Sequence, residues 1–447
     1  MNNLFPHDQA GLDAITAALL DAARRHGATD AVASVSENKG QTAHLRQGRI
    51  RALSREVSCG LSLAVYIGQR QGHTHSTDFT PDSLEEMARA ACAIAQHTQE
   101  DPFAGLPDTD ALCKTPLDLD LYHPWEPDSE TLVTLARQIE EGIADWPEAA
   151  SDGAWASAGQ SQVRLANSRG FSAGYAQSYH GFTASVLAAR DDIRCREFWH
   201  EGGRRQGELP AAKQIGAQAA GRAISLLDQR PIASGEFPVL FDARSAISLL
   251  QHLCQAISGR PLYMKTSFLG ERFGQPIFPE HIDVIEDPFI PGALASQPFD
   301  TEGISASRRV LVESGVLRGA LLGQYSARRL GLPVTGNAGG NTNVQIASRL
   351  TRPDDDLAAM LRKLGTGLMV TNLSGEGARL INGDYSRAAR GFWVERGEIR
   401  HAVDGVTIAG NLLEMWQSIA AIGADTFVSG AFSTGSILLS RMHVASR

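Results

Sequence analysis

Two dipeptides constrain the architecture of this chain more than any other feature. Ser314-Gly315 stands between Val310/Val312 and Val316, and Arg396-Gly397 stands between Phe392/Val394 and Ile399. A two-residue link ending in glycine, with apolar residues alternating on either side, signals a tight antiparallel hairpin, because such turns need left-handed backbone. Helical stretches are isolated among these strands, near 355–364 and 412–422. Runs of strands broken by separate helices imply an α+β fold and argue against a regular βαβ repeat.

The first half alternates more evenly. Asp8 to Gly27 reads as a helix with Leu12, Ile15, Leu19 and Ala23 on one face and glycine as its stop. Leu61, Leu63, Val65 and Ile67 alternate as a half-buried strand does. Thr80-Pro81-Asp82 opens a second helix with a capping hydroxyl and a stripe of Leu84, Met87, Ala91 and Ile94. A third helix carries Leu132, Leu135, Ile139 and Ile143, strands follow between 155 and 199, and a helix near 211–227 closes this half. The polar, proline-bearing stretch 228–235 is the best boundary. The predicted organisation is an N-terminal α+β region over 1–230, divisible near 101–128, with antiparallel strands and flanking helices. A strand-rich C-terminal domain with a few helices then occupies 231–447. That domain opens with strand Pro238–Phe241 and a helix bearing Ile247, Leu250, Cys254 and Ile257 on one face.

Bulk properties narrow the function. A chain of 447 residues exceeds one ordinary core. A net charge of −9 makes a poor general binder of phosphate backbones, so nucleic acid is not the expected partner. Five cysteines without CxxC spacing read as free thiols in a reducing compartment. No apolar run is long enough to span a bilayer, and MNNLFPHDQA lacks the pattern of a signal peptide. The expected location is the cytoplasm, with no membrane partner.

Motif chemistry is sparse. His200-Glu201 begins like a zinc-helix motif, but Gly202 and Gly203 break the helix and Arg204 and Arg205 follow where a second imidazole is needed. It reads as a surface loop. His73 and His75 share one strand face but lack a third ligand, and read as solvent-facing. No G-x-S-x-G elbow supports a serine hydrolase, and Cys254 lies on an apolar stripe. The loop Gly336–Asn343, which includes Asn337, lacks the lysine of a phosphate-binding loop and reads as tight turning. Gly383 to Arg387 places Asp384, Tyr385, Ser386 and Arg387 side by side, with Asp384 and Arg387 within pairing reach. That run is either a self-satisfied polar loop or a surface that holds extended peptide.

Long strings carry a resemblance. GDYSRAARGFWVERGEI from Gly383, with TIAGNL at 407–412, resembles the C-terminal signature of the TldD/PmbA family, and more closely its PmbA branch, also called TldE. STDFTP at 76–81, DLDLYHP at 118–124, PFDTEG at 298–303, YSARRLGL at 325–332 and TGNAGG at 335–340 agree, so the resemblance runs through nearly the whole chain. It implies a cytoplasmic protein that associates with a TldD-type subunit. The pair is a zinc-dependent protease for unfolded or extended peptides, including a microcin leader and an antitoxin. The family's older label, modulator of DNA gyrase, does not require DNA binding.

The TldD-type zinc motif, HExxxH with a distant cysteine, falls here on Leu250, Gln251 and Gln255, with the cysteine position near Thr434. His252 is the one histidine of that helix, and no cysteine follows Cys254. An aliphatic side chain and carboxamides do not make a zinc site or a general base. The resemblance thus implies a non-catalytic subunit with no metal or cofactor of its own, zinc residing in the partner. Asp384, Tyr385, Ser386, Arg387, Asn337 and Asn411 are expected to shape the peptide cleft or the subunit interface. The alternatives are a stand-alone peptide-binding homodimer and an autonomous hydrolase.

Overall fold

The computed structural model describes residues 5–375 and 377–446. Helix α1 (Gln9–Arg25) is capped by the Asp8 carboxylate on the Gly11 N–H and ends before Gly27, whose φ is +92°. Strands β1 (Asp30–Arg46), β2 (Arg49–Ile67) and β3 (Arg70–Ser76) follow, then α2 (Pro81–His97) and α3 (Ser129–Ala144). Three long strands, β4 (Ala149–Asn167), β5 (Ser172–Arg190) and β6 (Ile193–Gly203), and α4 (Ala212–Ser225) complete this half. The strands form one antiparallel sheet in the order β3-β2-β1-β4-β5-β6, so its pairing joins residues from both sides of 101–128.

Helices cover one side of this sheet in two groups. Along β1, Ala31, Ala33 and Val35 pack with α1 and α2, while Ala43 and Leu45 pack with α3 and α4. Gly142 and Gly216 let α3 and α4 touch backbone to backbone. A Cβ on either would lie within 2.0 Å of a carbonyl oxygen of the other helix.

The second half holds two sheets around α5. It begins with β7 (Gly235–Phe241), α5 (Ala243–Ala256), α6 (Gly259–Tyr263), β8 (Ile282–Asp287), β9 (Arg309–Glu313) and β10 (Val316–Leu317). It continues with α7 (Gln324–Leu330), β11 (Asn343–Ser348), α8 (Leu357–Leu364), β12 (Gly367–Ser374), β13 (Asp384–Glu395) and β14 (Glu398–Asn411). The remaining elements are α9 (Leu412–Gln417), β15 (Ile419–Ile422), β16 (Phe427–Ser429), β17 (Phe432–Thr434) and β18 (Ile437–Ala445). One sheet runs β10-β9-β8-β11-β17-β16. The other runs β14-β13-β12-β7-β18-β15, with a further pairing of β14 to β18. Val239 and Phe241 of β7, Leu249, Leu250 and Leu253 of α5, and Ile282, Val284 and Leu311 of the facing sheet share one core. The fold is α+β with a strand-rich C-terminal half, as the hairpin signals imply. Both hairpin turns carry the left-handed residues that two-residue links require: Ser314 and Gly315 at +48° and +78°, Arg396 and Gly397 at +55° and +79°.

Several local expectations need correction. Ile94 is exposed on α2, where Cys92 and Ala95 take the inward positions. The Thr80 hydroxyl turns back to the Asp78 carboxylate and does not cap α2. The helix expected over 412–422 stops at Gln417, and Ile419–Ile422 pairs with β18 as a strand. His200–Gly203 is not a surface loop but the end of β6, in register with β5. Gly383 to Arg387 is likewise mostly strand, because Asp384 to Arg387 pair with Ile408 to Asn411.

Candidate functional site

Helix α5 begins where Asp242 accepts the Ser245 N–H at 2.7 Å. Its apolar side carries Leu249, Leu250, Leu253 and Cys254 into the core. Its polar side carries Arg244, Ser248, Gln251, His252 and Gln255. Leu250 is buried, while Gln251 and Gln255 are exposed. Strand β17 packs against α5 and bears Thr434, whose buried hydroxyl donates to the Gly435 carbonyl at 2.8 Å. The four positions of the resemblance therefore gather at one helix and one strand.

Strand β13 brings Tyr385 to this helix. The Tyr385 ring meets His252 edge-on, with centroids 6.0 Å apart. Only 2% of Tyr385 is exposed, and burial pushes its hydroxyl up to about 12. Burial, then the nearby Arg387 guanidinium, holds His252 below the usual imidazole range, so the ring is neutral at pH 7. Both His252 ring nitrogens, the Tyr385 hydroxyl and Arg387 Nε are buried without a hydrogen-bond partner among the described residues. Strand alternation sends Asp384 and Ser386 to solvent and Tyr385 inward. Asp384 bonds Asn382 at 2.6 Å and does not pair with Arg387. Asn411 caps α9 through the Leu413 N–H and donates to the Asn382 carbonyl at 2.9 Å.

A second buried polar cluster of the C-terminal half centres on Asn337. Buried Asn337 donates to Glu286 at 2.8 Å and to the Gly340 carbonyl at 3.1 Å. It accepts from Arg309 at 2.6 Å and from Thr335 at 2.8 Å. Arg309 completes the knot with Glu286 at 2.5 Å. The Gly336–Asn343 loop is tied down by this knot. Nearby, Asp300 accepts the N–H groups of Glu302, Ile304 and Ala338, and Glu302 accepts that of Gln324. Burial outweighs these bonds and raises Asp300 to about 6 and Glu302 to about 7.

A groove of about 910 Å³ lies between the N-terminal sheet and the β16–β17 hairpin. Lys39, Glu56, Ser58, Gln160, Tyr179 and His200 line one side, and Phe427 to Gly430 line the other. His200 bridges Tyr179 through Nε2 at 2.6 Å and Thr183 through Nδ1 at 2.7 Å. Burial, then Arg244, lowers its basicity. Gly202 makes this possible, since a Cβ there would sit 2.3 Å from the Tyr179 hydroxyl. Thr183 and His200 are direct cross-strand neighbours, a relation visible only once the β5–β6 register is known. Arg244 of α5 stacks over Phe198 and Trp199 at 4.4 and 4.9 Å, and Trp199 reaches Phe427 at 5.9 Å. The polar side of α5 and the groove thus meet at one aromatic shelf. His73 and His75 stand exposed on the edge strand β3. Among the described residues, no three His, Cys, Asp or Glu side chains converge as a metal site would require.

A long antiparallel sheet joined to a two-sheet half with a buried helix, and a polar helix face beside the groove, define a two-part α+β protein. The chain belongs to the PmbA/TldA metallopeptidase family: its domain 1 matches residues 31–95, its central domain 122–227 and its C-terminal domain 234–446. It is 36% identical to Metalloprotease PmbA of Escherichia coli O157:H7 over 92% of this chain and 91% of that protein. The fold matches TldE from Thermococcus kodakarensis with a TM-score of 0.85 at 20% identity, over 96% of this chain and all of that one. It also matches a Bacteroides thetaiotaomicron protein crystallised as a candidate modulator of DNA gyrase, with a TM-score of 0.91 at 22% identity over 97% and 99% of the two chains. Among the described residues no helix is long and apolar enough to cross a membrane.

Proposed function

We propose that this chain is the PmbA/TldE-type subunit of a two-subunit, zinc-dependent peptidase and acts on unfolded or extended peptides in the cytoplasm. Its zinc resides in a TldD-type partner. The observation that carries this reading is the face of α5. Leu250 is sunk in the core, Gln251 and Gln255 carry amides, and Thr434 spends its hydroxyl on Gly435. These residues do not fit zinc. His252, the remaining imidazole of α5, faces the Arg387 cation, which would repel a divalent ion. No bond-breaking step is therefore assigned to this chain.

Its contribution is binding. The groove offers the outer edge of β16, to which an extended peptide can add as a strand, with Phe427 and Val428 beside it. Asp384 and Ser386 on the outward face of β13, with the Asn411-capped start of α9, are where peptide or partner meets the C-terminal half. Tyr385 and Arg387 hold that face from behind, while Asn337 is tied to Glu286 and Arg309 instead.

The test is an assay of each subunit and of their mixture on an unstructured peptide, with zinc measured in each. The mixture is expected to cleave and to stop with chelator, while this chain alone neither cleaves nor carries zinc. Cleavage by the chain alone, or one zinc per chain, would overturn the reading.

A further inference from the structure

The first nine residues of β2, Arg49–Val57, are all exposed. A strand with one covered face exposes alternate side chains, so nine in a row means that neither face is covered. The edge is open as well. β1 pairs with β2 from Arg49 onward, but β3 joins the other side only from Leu61 to Ile67. Ile50, Leu53 and Val57 are 47%, 50% and 61% exposed on this ribbon. Long, apolar, unpaired edges invite strand addition, and soluble proteins usually blunt them with proline, bulges or charge. Proline is absent here, and the register irregularity lies back beside the turn at His44/Leu45.

The charges that remain select a partner. Arg49, Arg51 and Arg55 stand against a single acid, Glu56, in a chain whose net charge is −9. Neighbouring Arg46 is neutralised by Asp152 at 3.0 Å, whereas these three have no carboxylate partner among the described residues. A second copy would bring six of these arginines together against two glutamates, and two of its registers oppose like charges directly. Antiparallel self-pairing centred on Leu53 sets Arg51 opposite Arg55, and centring on Ala52 sets Arg49 opposite Arg55. Like charges directly opposite destabilise a ladder. Glu56 and Ser58 also line the groove, so a strand added outside them would roof it.

We propose that the outer edge of β2, Arg49–Gly60, receives an acidic strand edge of the partner subunit and thereby closes the groove. This rests on the two-subunit reading above. The experiment measures binding of the TldD-type subunit to the full chain and to three variants, with circular dichroism of each as a check on folding. The double change Arg51→Glu/Arg55→Glu is expected to weaken binding at least tenfold at low salt, and Val57→Pro to abolish co-elution in gel filtration. Leu350→Asp, on an exposed site elsewhere, is expected to leave binding unchanged. If the wild-type chain binds and both ribbon variants bind within twofold of it, this proposal falls while the two-subunit reading stands. If the wild-type chain does not bind, the reading itself fails. If the chain alone forms a dimer that the ribbon variants dissociate, the edge belongs to a second copy and the proposal is overturned.

Discussion

Two sets of buried polar groups in the C-terminal half differ in how densely they are bonded. Around Asn337 every side-chain donor and acceptor of the amide is engaged and Glu286 answers Arg309, leaving only Arg309 Nε and Thr342 Oγ1 without a partner among the described residues of that cluster. Around Tyr385, four polar atoms of His252, Tyr385 and Arg387 are buried with no partner among the described residues. A saturated network is costly to break, because each partner left behind is a buried, unpaired group. An unsaturated one can lose a polar atom at small cost. The first set is therefore a structural tie, while the second holds its polar atoms with fewer bonds.

The largest effect should come from cutting the tie. Glu286→Ala strands Arg309 and Asn337 together and should cost about 3–5 kcal/mol in urea unfolding. A loss below 1 kcal/mol would erase the contrast.

Asp300 and Glu302 lie between the extremes, bonded to backbone N–H groups yet held above the usual carboxylate range by burial. Their folded-state pKa values exceed the unfolded ones, so the folded state binds more protons between them. The stability they contribute is present below pH 4 to 4.5 and is lost as pH rises toward 6 and 7. Glu302→Gln should remove its share of that slope, making the variant more stable relative to wild type at pH 7 than at pH 4.5. After allowing for its remaining exposure the difference should be about 2–3 kcal/mol. Parallel unfolding curves at the two pH values would sink this account.

Tyr385→Phe deletes a hydroxyl that has no hydrogen-bond partner among the described residues, and should change stability by less than about 1 kcal/mol in either direction. A larger loss would mean that the hydroxyl is engaged after all. The smallest effect is expected for Asp384→Ala, which removes an exposed bond to Asn382 and should stay within about 0.5 kcal/mol. If that variant nevertheless weakens binding of the partner or peptide, its role is recognition.

The elements that packing covers could be read from the chain. α1, α3 and α5 follow their apolar stripes, and both hairpin turns fall on their Ser-Gly and Arg-Gly pairs. What escaped was structure that lacks a covered face. Arg49–Val57 shows no alternation because none of the described residues covers it, and His200–Gly203 looked like a loop because glycine there makes room for Tyr179. The run at Asp384 was also misjudged, since its four residues are polar, yet strand alternation buries Tyr385 and turns its neighbours out. For the candidate site, the buried and exposed sides of α5 were legible from its apolar stripe. The Tyr179–His200–Thr183 bridge was not, because it depends on which strands lie side by side.

Strand order has a temporal consequence. β7 opens the second half, but one of its two neighbours, β18, begins only at Ile437. During synthesis β7 and α5 must therefore wait for nearly two hundred residues before that edge is closed. Over that interval the Val239–Phe241 backbone is open to foreign strands. The chain is most exposed to misassembly while it is still being made, and a chaperone or an already folded partner would matter most at that moment.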